Sequence, residues 1–242
     1  MKLYFFTLLS FALLNAQATS QPKNSPISVL SSIKSVDIEH SNGITTFDPM
    51  WVDSLSLSLP CYEVPVPKRT MRLPNAPRNY RNGTHKGLDF FANWGTPVRS
   101  VADGIVVRSD LHYEEVPADF RENLLKATTK VGHPPSDIFN SVLLGKSVFL
   151  DHGFDLIPGF RTISIYAHLS HIEKEIIPGA IVKRGELLGK SGNTGMREST
   201  IGSKAGSHLH WEMILQKGEQ EIYLGKGMSN PELYDMLYRI FN

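Results

Sequence analysis

Nine histidines punctuate this chain of 242 residues, and three short stretches place some of them where they could act together. The first is His85-Lys86-Gly87-Leu88-Asp89. In an extended backbone residues i, i+2 and i+4 share a face, so His85 and Asp89 can point the same way. Gly87 between them leaves no side chain in the space where an ion would sit. The second is His208-Leu209-His210. Its period of two puts both imidazoles on one face of a strand and Leu209 on the core side. Trp211 and Met213 continue the core side; Glu212 continues the histidine face, a candidate to support a metal ligand from behind but more simply read as a solvated carboxylate. The third is Tyr166-Ala167-His168-Leu169, where His168 closes a run of alternating β-branched residues. Imidazole nitrogen and carboxylate oxygen are normal zinc donors. His85, Asp89 and one of the 208/210 pair would give the composition of a catalytic zinc site, with a fourth position open for water. The other histidine of the pair and His168 would then serve proton transfer and charge stabilisation.

These residues need strands to hold them, and the chain supplies strand signals on either side. GLDFFANWGTPVRSVADGIVVRSD reads as short strands cut by Gly and Pro turns. KSVFLDHG and RTISIYAHLS carry the β-branched and aromatic residues of two more. PGAIVKRGELLGKSGNTG reads as one or two Gly-punctuated hairpins, and HLHWEMILQ as a further strand. The expected fold is mainly β, with antiparallel sheets forming a sandwich or partly open barrel. An insertion at 110–146 breaks the pattern with helical texture. VPADFRENLLKATTKV sets Phe120, Leu124 and Val131 on one stripe after Pro117, and SDIFNSVLLG offers Ser136 as cap and Gly145 as stop. A C-terminal helix is expected over SNPELYDMLYRIFN, capped by Ser229 or Asn230, with Leu233, Leu237 and Ile240 as its apolar stripe.

Residues 1–18 read as a secretory signal: Lys2, an apolar run from Leu3 to Leu14, and Ala16-Gln17-Ala18 as a small-x-small cleavage site. The expectation is an exported protein, periplasmic or secreted, with no stable membrane span after cleavage. Residues 19–80, rich in Ser, Pro and Asn, read as an N-terminal arm or linker, with WVDSLSLSLPCYEVPVP giving one or two strands. The remaining 81–242 form the domain that carries the histidines. A formal charge of +1 speaks against nucleic-acid binding. The single cysteine, Cys61, rules out an internal disulfide framework and any cysteine-based zinc cluster. It packs as a small hydrophobe or, in a sharper reading, latches the open metal position. His152 reads as structural, and His112, His133 and His171 as surface residues.

Taken together and in order, GTHKGLDFFANWGTPVRSVADGIVV, FLDHG, TISIYAHLS, PGAIVKRGELLGKSGNTG and SHLHWE resemble the lysostaphin/LytM-type zinc metallopeptidases over about 84–215, outside the insert. The resemblance implies that His85, Asp89 and His210 bind one Zn2+ per chain. It implies His208 as general base and His168 as its partner or oxyanion stabiliser. The implied substrate is a peptide crosslink or stem of bacterial peptidoglycan, cut by a zinc endopeptidase. A non-catalytic relative that activates a cell-wall amidase is the alternative; such relatives usually lack the metal ligands. The chain departs from the family in two places: the 110–146 insert, and the stretch MRESTIGSKAGS between Gly-Asn-Thr-Gly and the His-x-His.

Overall fold

The structure, a computed structural model, describes residues 46–131 and 139–242. The leader read over 1–18, the first part of the 19–80 arm, His133 and the Ser136 cap lie outside the described residues. All the strand pairings are antiparallel. Numbered in chain order, the strands of the seven-stranded sheet run across it as β12 (Gln220–Tyr223), β11 (Leu209–Lys217), β7 (Arg161–Ala167), β6 (Val148–Asp151), β5 (Gly104–Ser109) and β9 (Ile181–Val182). The seventh, β3 (Leu88–Phe90), also pairs with β11. A three-stranded sheet runs β4 (Pro97–Arg99), β10 (Leu187–Ser191), β8 (Leu169–Ile172), and a small ribbon joins β1 (Pro77–Arg78) to β2 (Gly83–Thr84). Among the described residues no closed barrel forms. The Gly-punctuated stretch does not fold back on itself, because β9 pairs with β5 while β10 pairs with β4 and β8.

Strand alternation sorts the apolar residues onto two faces. Val148, Leu150, Tyr166, Leu209, Trp211 and Met213 join the main core, which also takes Val98 of β4, Leu169 of β8 and Leu188 of β10. Phe149, Ile163, Ile165 and Ala167 face the other way, into a smaller cluster with Leu144. Sheets covered on both faces explain why β7 and β11 are buried almost throughout.

Three expectations change here. From Thr46 onward the stretch read as an arm packs into the core through Val52, Leu55, Leu57, Cys61 and Val66. Residues 51–67 make no strand; single bonds such as Leu57 N–H to Ile240 O and Arg99 N–H to Pro60 O hold them instead. Their frequent prolines remove the donors that a ladder needs. Cys61 is fully buried in the main core, where burial pushes its thiol up to about 12, and it is not part of the cluster formed by His85, Asp89 and His210. Second, the insert does form a helix, α1 (Ala118–Val131), with Pro117 O accepting from Arg121 N–H. The buried positions, however, are Arg121 and Thr128, while Phe120 is 52% exposed. Third, a single turn, α2 (Arg197–Thr200), occupies the second departure. The last helix, α3 (Glu232–Ile240), buries Leu233, Leu237 and Ile240 as expected and Met236 besides. Its cap is Pro231, and neither Ser229 nor Asn230 contributes a side-chain cap bond.

Among the described residues no helix is long and apolar enough to cross a membrane.

Candidate metal centre

Strand register builds the site. On one side of β11, His210 stands opposite Asp89 of β3; on the other, it stands opposite Ala167, the last residue of β7. The pairing therefore delivers Asp89 and His168 to the flanks of the His-x-His without any loop having to reach. Gly87 makes the first approach possible. A Cβ there would lie 2.2 Å from Trp211 O and 2.7 Å from Glu212 Cγ. The glycine thus clears the way for β11, not the ion's own space as the spacing suggested.

His85, Asp89 and His210, all buried, present one ligand atom each within 4.8 Å of the others. His85 Nε2 lies 2.9 Å from Asp89 Oδ1 and 3.0 Å from His210 Nδ1, and His210 Nδ1 lies 2.8 Å from Asp89 Oδ1. The outer nitrogens decide the tautomers. His85 Nδ1–H donates to Leu73 O at 2.8 Å, and His210 Nε2–H donates to the Glu212 carboxylate at 2.7 Å. A carbonyl or carboxylate oxygen only accepts, so both protons sit on the outside. Two imidazole lone pairs and a carboxylate oxygen then converge with nothing but repulsion between them unless a cation is present. Burial opposes an imidazolium at His210, but Asp89 and Glu212 outweigh burial and lift it to about 9. Burial likewise opposes the Asp89 carboxylate, yet the His210 and His85 rings that face it hold it well below the usual range. Arg78 Nη2 donates to Asp89 Oδ2 at 2.9 Å and fixes its far oxygen. The donor set fits a zinc ion on every count: ligand type, convergence, and outer hydrogen bonds that aim each ring.

Glu212 was expected in solvent. It is 2% exposed and is the carboxylate that orients His210. The signal for this was present, since it shares the histidine face two residues on.

His208 and His168 stand beside the cluster without joining it. His208 Nδ1–H donates to Gly206 O at 2.8 Å, turning Nε2 inward to 3.6 Å from Asp89 Oδ1. Phe91 stacks on its ring at 5.4 Å. His168 Nδ1–H donates to Thr194 O at 2.8 Å, and the two rings meet edge to face at 4.9 Å. His168 also holds a left-handed φ of 60°, which a non-glycine residue adopts only at some cost. Burial, then the neighbouring His208 and His210, drives the His168 imidazole well below its usual value; burial also lowers His208. Both are therefore neutral, with an unprotonated Nε2. His152 lies elsewhere in the sheet, between Asp103 O and Ser164 Oγ, and His171 is exposed.

A cleft of about 480 Å³ opens over these residues. Its far wall is the insert: Arg121, Glu122 and Leu125 of α1 face Met196 and Arg197. The sequence marked the 110–146 insert as a place where the groove would depart from the family's shape, but not which of its residues line it.

The family model for peptidase family M23 matches residues 135–222. That span holds His168, His208 and His210 and stops short of His85 and Asp89, which the structure brings to it. An uncharacterized metalloprotease of Buchnera aphidicola subsp. Baizongia pistaciae is 26% identical over 141 residues, 58% of this chain and 26% of that one. One from Haemophilus influenzae is 31% identical over 128 residues, 53% and 18% respectively. The chain thus spans about a quarter or less of the length of these curated relatives. The catalytic domain of the antimicrobial peptidase lysostaphin from Staphylococcus simulans is 21% identical, with a TM-score of 0.36 over 69% of this chain and 86% of that one.

Proposed function

We propose that the chain belongs to peptidase family M23, whose model matches residues 135–222, and that it is a zinc-dependent endopeptidase that hydrolyses peptide bonds of bacterial peptidoglycan. The observation that carries the reading is the convergence of His85, Asp89 and His210 with both imidazole protons held on the outside. Zinc bound there would polarise a scissile carbonyl and make a water acidic near neutral pH. The chain's own residues do the rest. His208, neutral and with its Nδ1–H engaged by Gly206, is the proton acceptor for the attacking water. His168 is equally an acceptor in its ground state, because its Nδ1–H is engaged by Thr194. It can steady a developing oxyanion only after taking a proton, so partner to His208 is its first role.

The amidase-activator alternative has no need of this donor set, and nothing in the cleft favours it. Export to the periplasm or beyond belongs to the same proposal and rests on residues 1–18. The test is direct. Purified protein is assayed for zinc, and muropeptides are analysed by mass spectrometry after digestion, with and without a chelator. About one zinc per chain and chelator-sensitive cleavage are expected. Metal-free protein, or cleavage that ignores the chelator, rejects the reading.

A further inference from the structure

Arg121 is the unusual residue of the cleft. It is 9% exposed, and its Nε–H donates to Gly195 O at 2.9 Å. Among the described residues its two Nη groups have no hydrogen-bond or ion-pair partner, and they are not sealed from solvent. Arg121 lines the cleft. Other guanidinium groups there are engaged. Arg78 holds Asp89, and Arg197 faces Glu122 at 3.8 Å. Glu115 is engaged as well: its carboxylate accepts from Gly195 N–H at 2.9 Å, the other end of the residue that Arg121 grips.

A guanidinium tied at Nε and free at both Nη atoms presents two parallel donors, which match the two oxygens of a carboxylate. Its desolvation has already been met in folding, so an arriving anion gains more than it would at a mobile surface arginine. The turn that Arg121 grips also supplies Thr194 O, the anchor of His168. The donors therefore belong to the His168 side of the catalytic centre, in a cleft that Leu125, Leu144 and Met196 also line.

We propose that Arg121, carried by the insert, is a specificity determinant that binds a free carboxylate of the substrate peptide near the scissile bond. This rests on the peptidase reading, and it narrows the substrate class to anionic stem peptides over their amidated forms.

Two synthetic cross-linked stem peptides test it, one with a free α-carboxylate on its D-glutamate and one with that group as the amide. Binding is measured calorimetrically on zinc-loaded His208→Ala protein, with and without Arg121→Gln; turnover is measured on wild type, Arg121→Gln and Arg121→Lys. The acid should bind about ten- to hundredfold more tightly than the amide, the range expected for a charge-assisted pair. Arg121→Gln should close that gap, and Arg121→Lys should retain part of it. Since the acid–amide comparison on unmodified Arg121 needs no substitution there, it stands even if the variants fold poorly. Equal affinities, a preference that survives Arg121→Gln, or no binding of the acid at millimolar concentration overturns the proposal. If the acid is preferred through Arg121 but wild type cuts neither peptide, the peptidase reading falls and the anion site stands. If both peptides are cut with equal efficiency, the peptidase reading stands and the anion site falls.

Discussion

Around β11 position is set by strand register, whereas along α1 it is set by a few polar contacts. His210 meets Asp89 and the end of β7 because consecutive antiparallel pairs leave it no other place. A one-residue slip would turn every ligand to the opposite face, and Leu209, Trp211 and Met213, all fully buried, would be expelled with it. The wall has no such lock. Arg121 and Glu115 grip the two ends of Gly195, and the most buried positions of its helix are an arginine and a threonine. Chemistry is thus placed on the part that cannot shift, and substrate contact on the part that can be altered without disturbing it.

The sharpest break of the frame is at its ligands. His210→Ala should remove metal and turnover together, whereas His208→Ala should keep metal and lower kcat by about 10²- to 10⁴-fold. Metal analysis of folded protein beside the rate separates the two. Loss of metal from both variants would make His208 a ligand and undo the division of labour. Next in size is Glu212→Gln. The ring of His210 keeps an acceptor but loses the charge behind it, and zinc affinity should fall about 10–100-fold in a chelator competition. No change would return Glu212 to a packing role. Gly87→Ala tests the approach of β3 to β11. With backbone only 2.2 Å from the added carbon, a stability loss of about 1–3 kcal/mol in urea unfolding is expected. An unchanged midpoint would mean that β3 yields easily.

Much of the frame was legible in the sequence, for a physical reason: a period of two, turn residues and β-branched content are local signals of an environment that strands impose. Asp89 and His210 sit in the strands so announced, whereas His85 precedes β3, His168 lies between β7 and β8 with a left-handed φ, and His208 makes an isolated bridge with Gly192 ahead of β11; the choice of His210 over His208 as ligand came from the family resemblance. Glu212 was misread because a carboxylate is usually solvated, and its burial depends on which strands flank β11, a pairing that local patterning does not give. Residues 46–67 show alternation without a ladder; their burial comes from the surface they cover. Arg121 left no trace at all. Helix periodicity pointed to Phe120 and Leu124, but the face that packs is chosen by the turn at Gly195, far off in the chain.

The smallest effect tests whether wall and frame are separate. Glu115→Ala removes the acceptor of Gly195 N–H and the partner of the Tyr113 hydroxyl, 2.9 Å away. Glu115 is half-buried, so the bond is worth about 1 kcal/mol. If the wall is held independently, that loss is local: amide hydrogens of α1 exchange faster, while zinc content and the urea midpoint stay near wild type. If the midpoint falls as far as in Gly87→Ala, the wall and the β11 frame unfold as one unit. The insert would then be part of the scaffold, and the metal site would owe some of its geometry to the helix that faces it across the cleft.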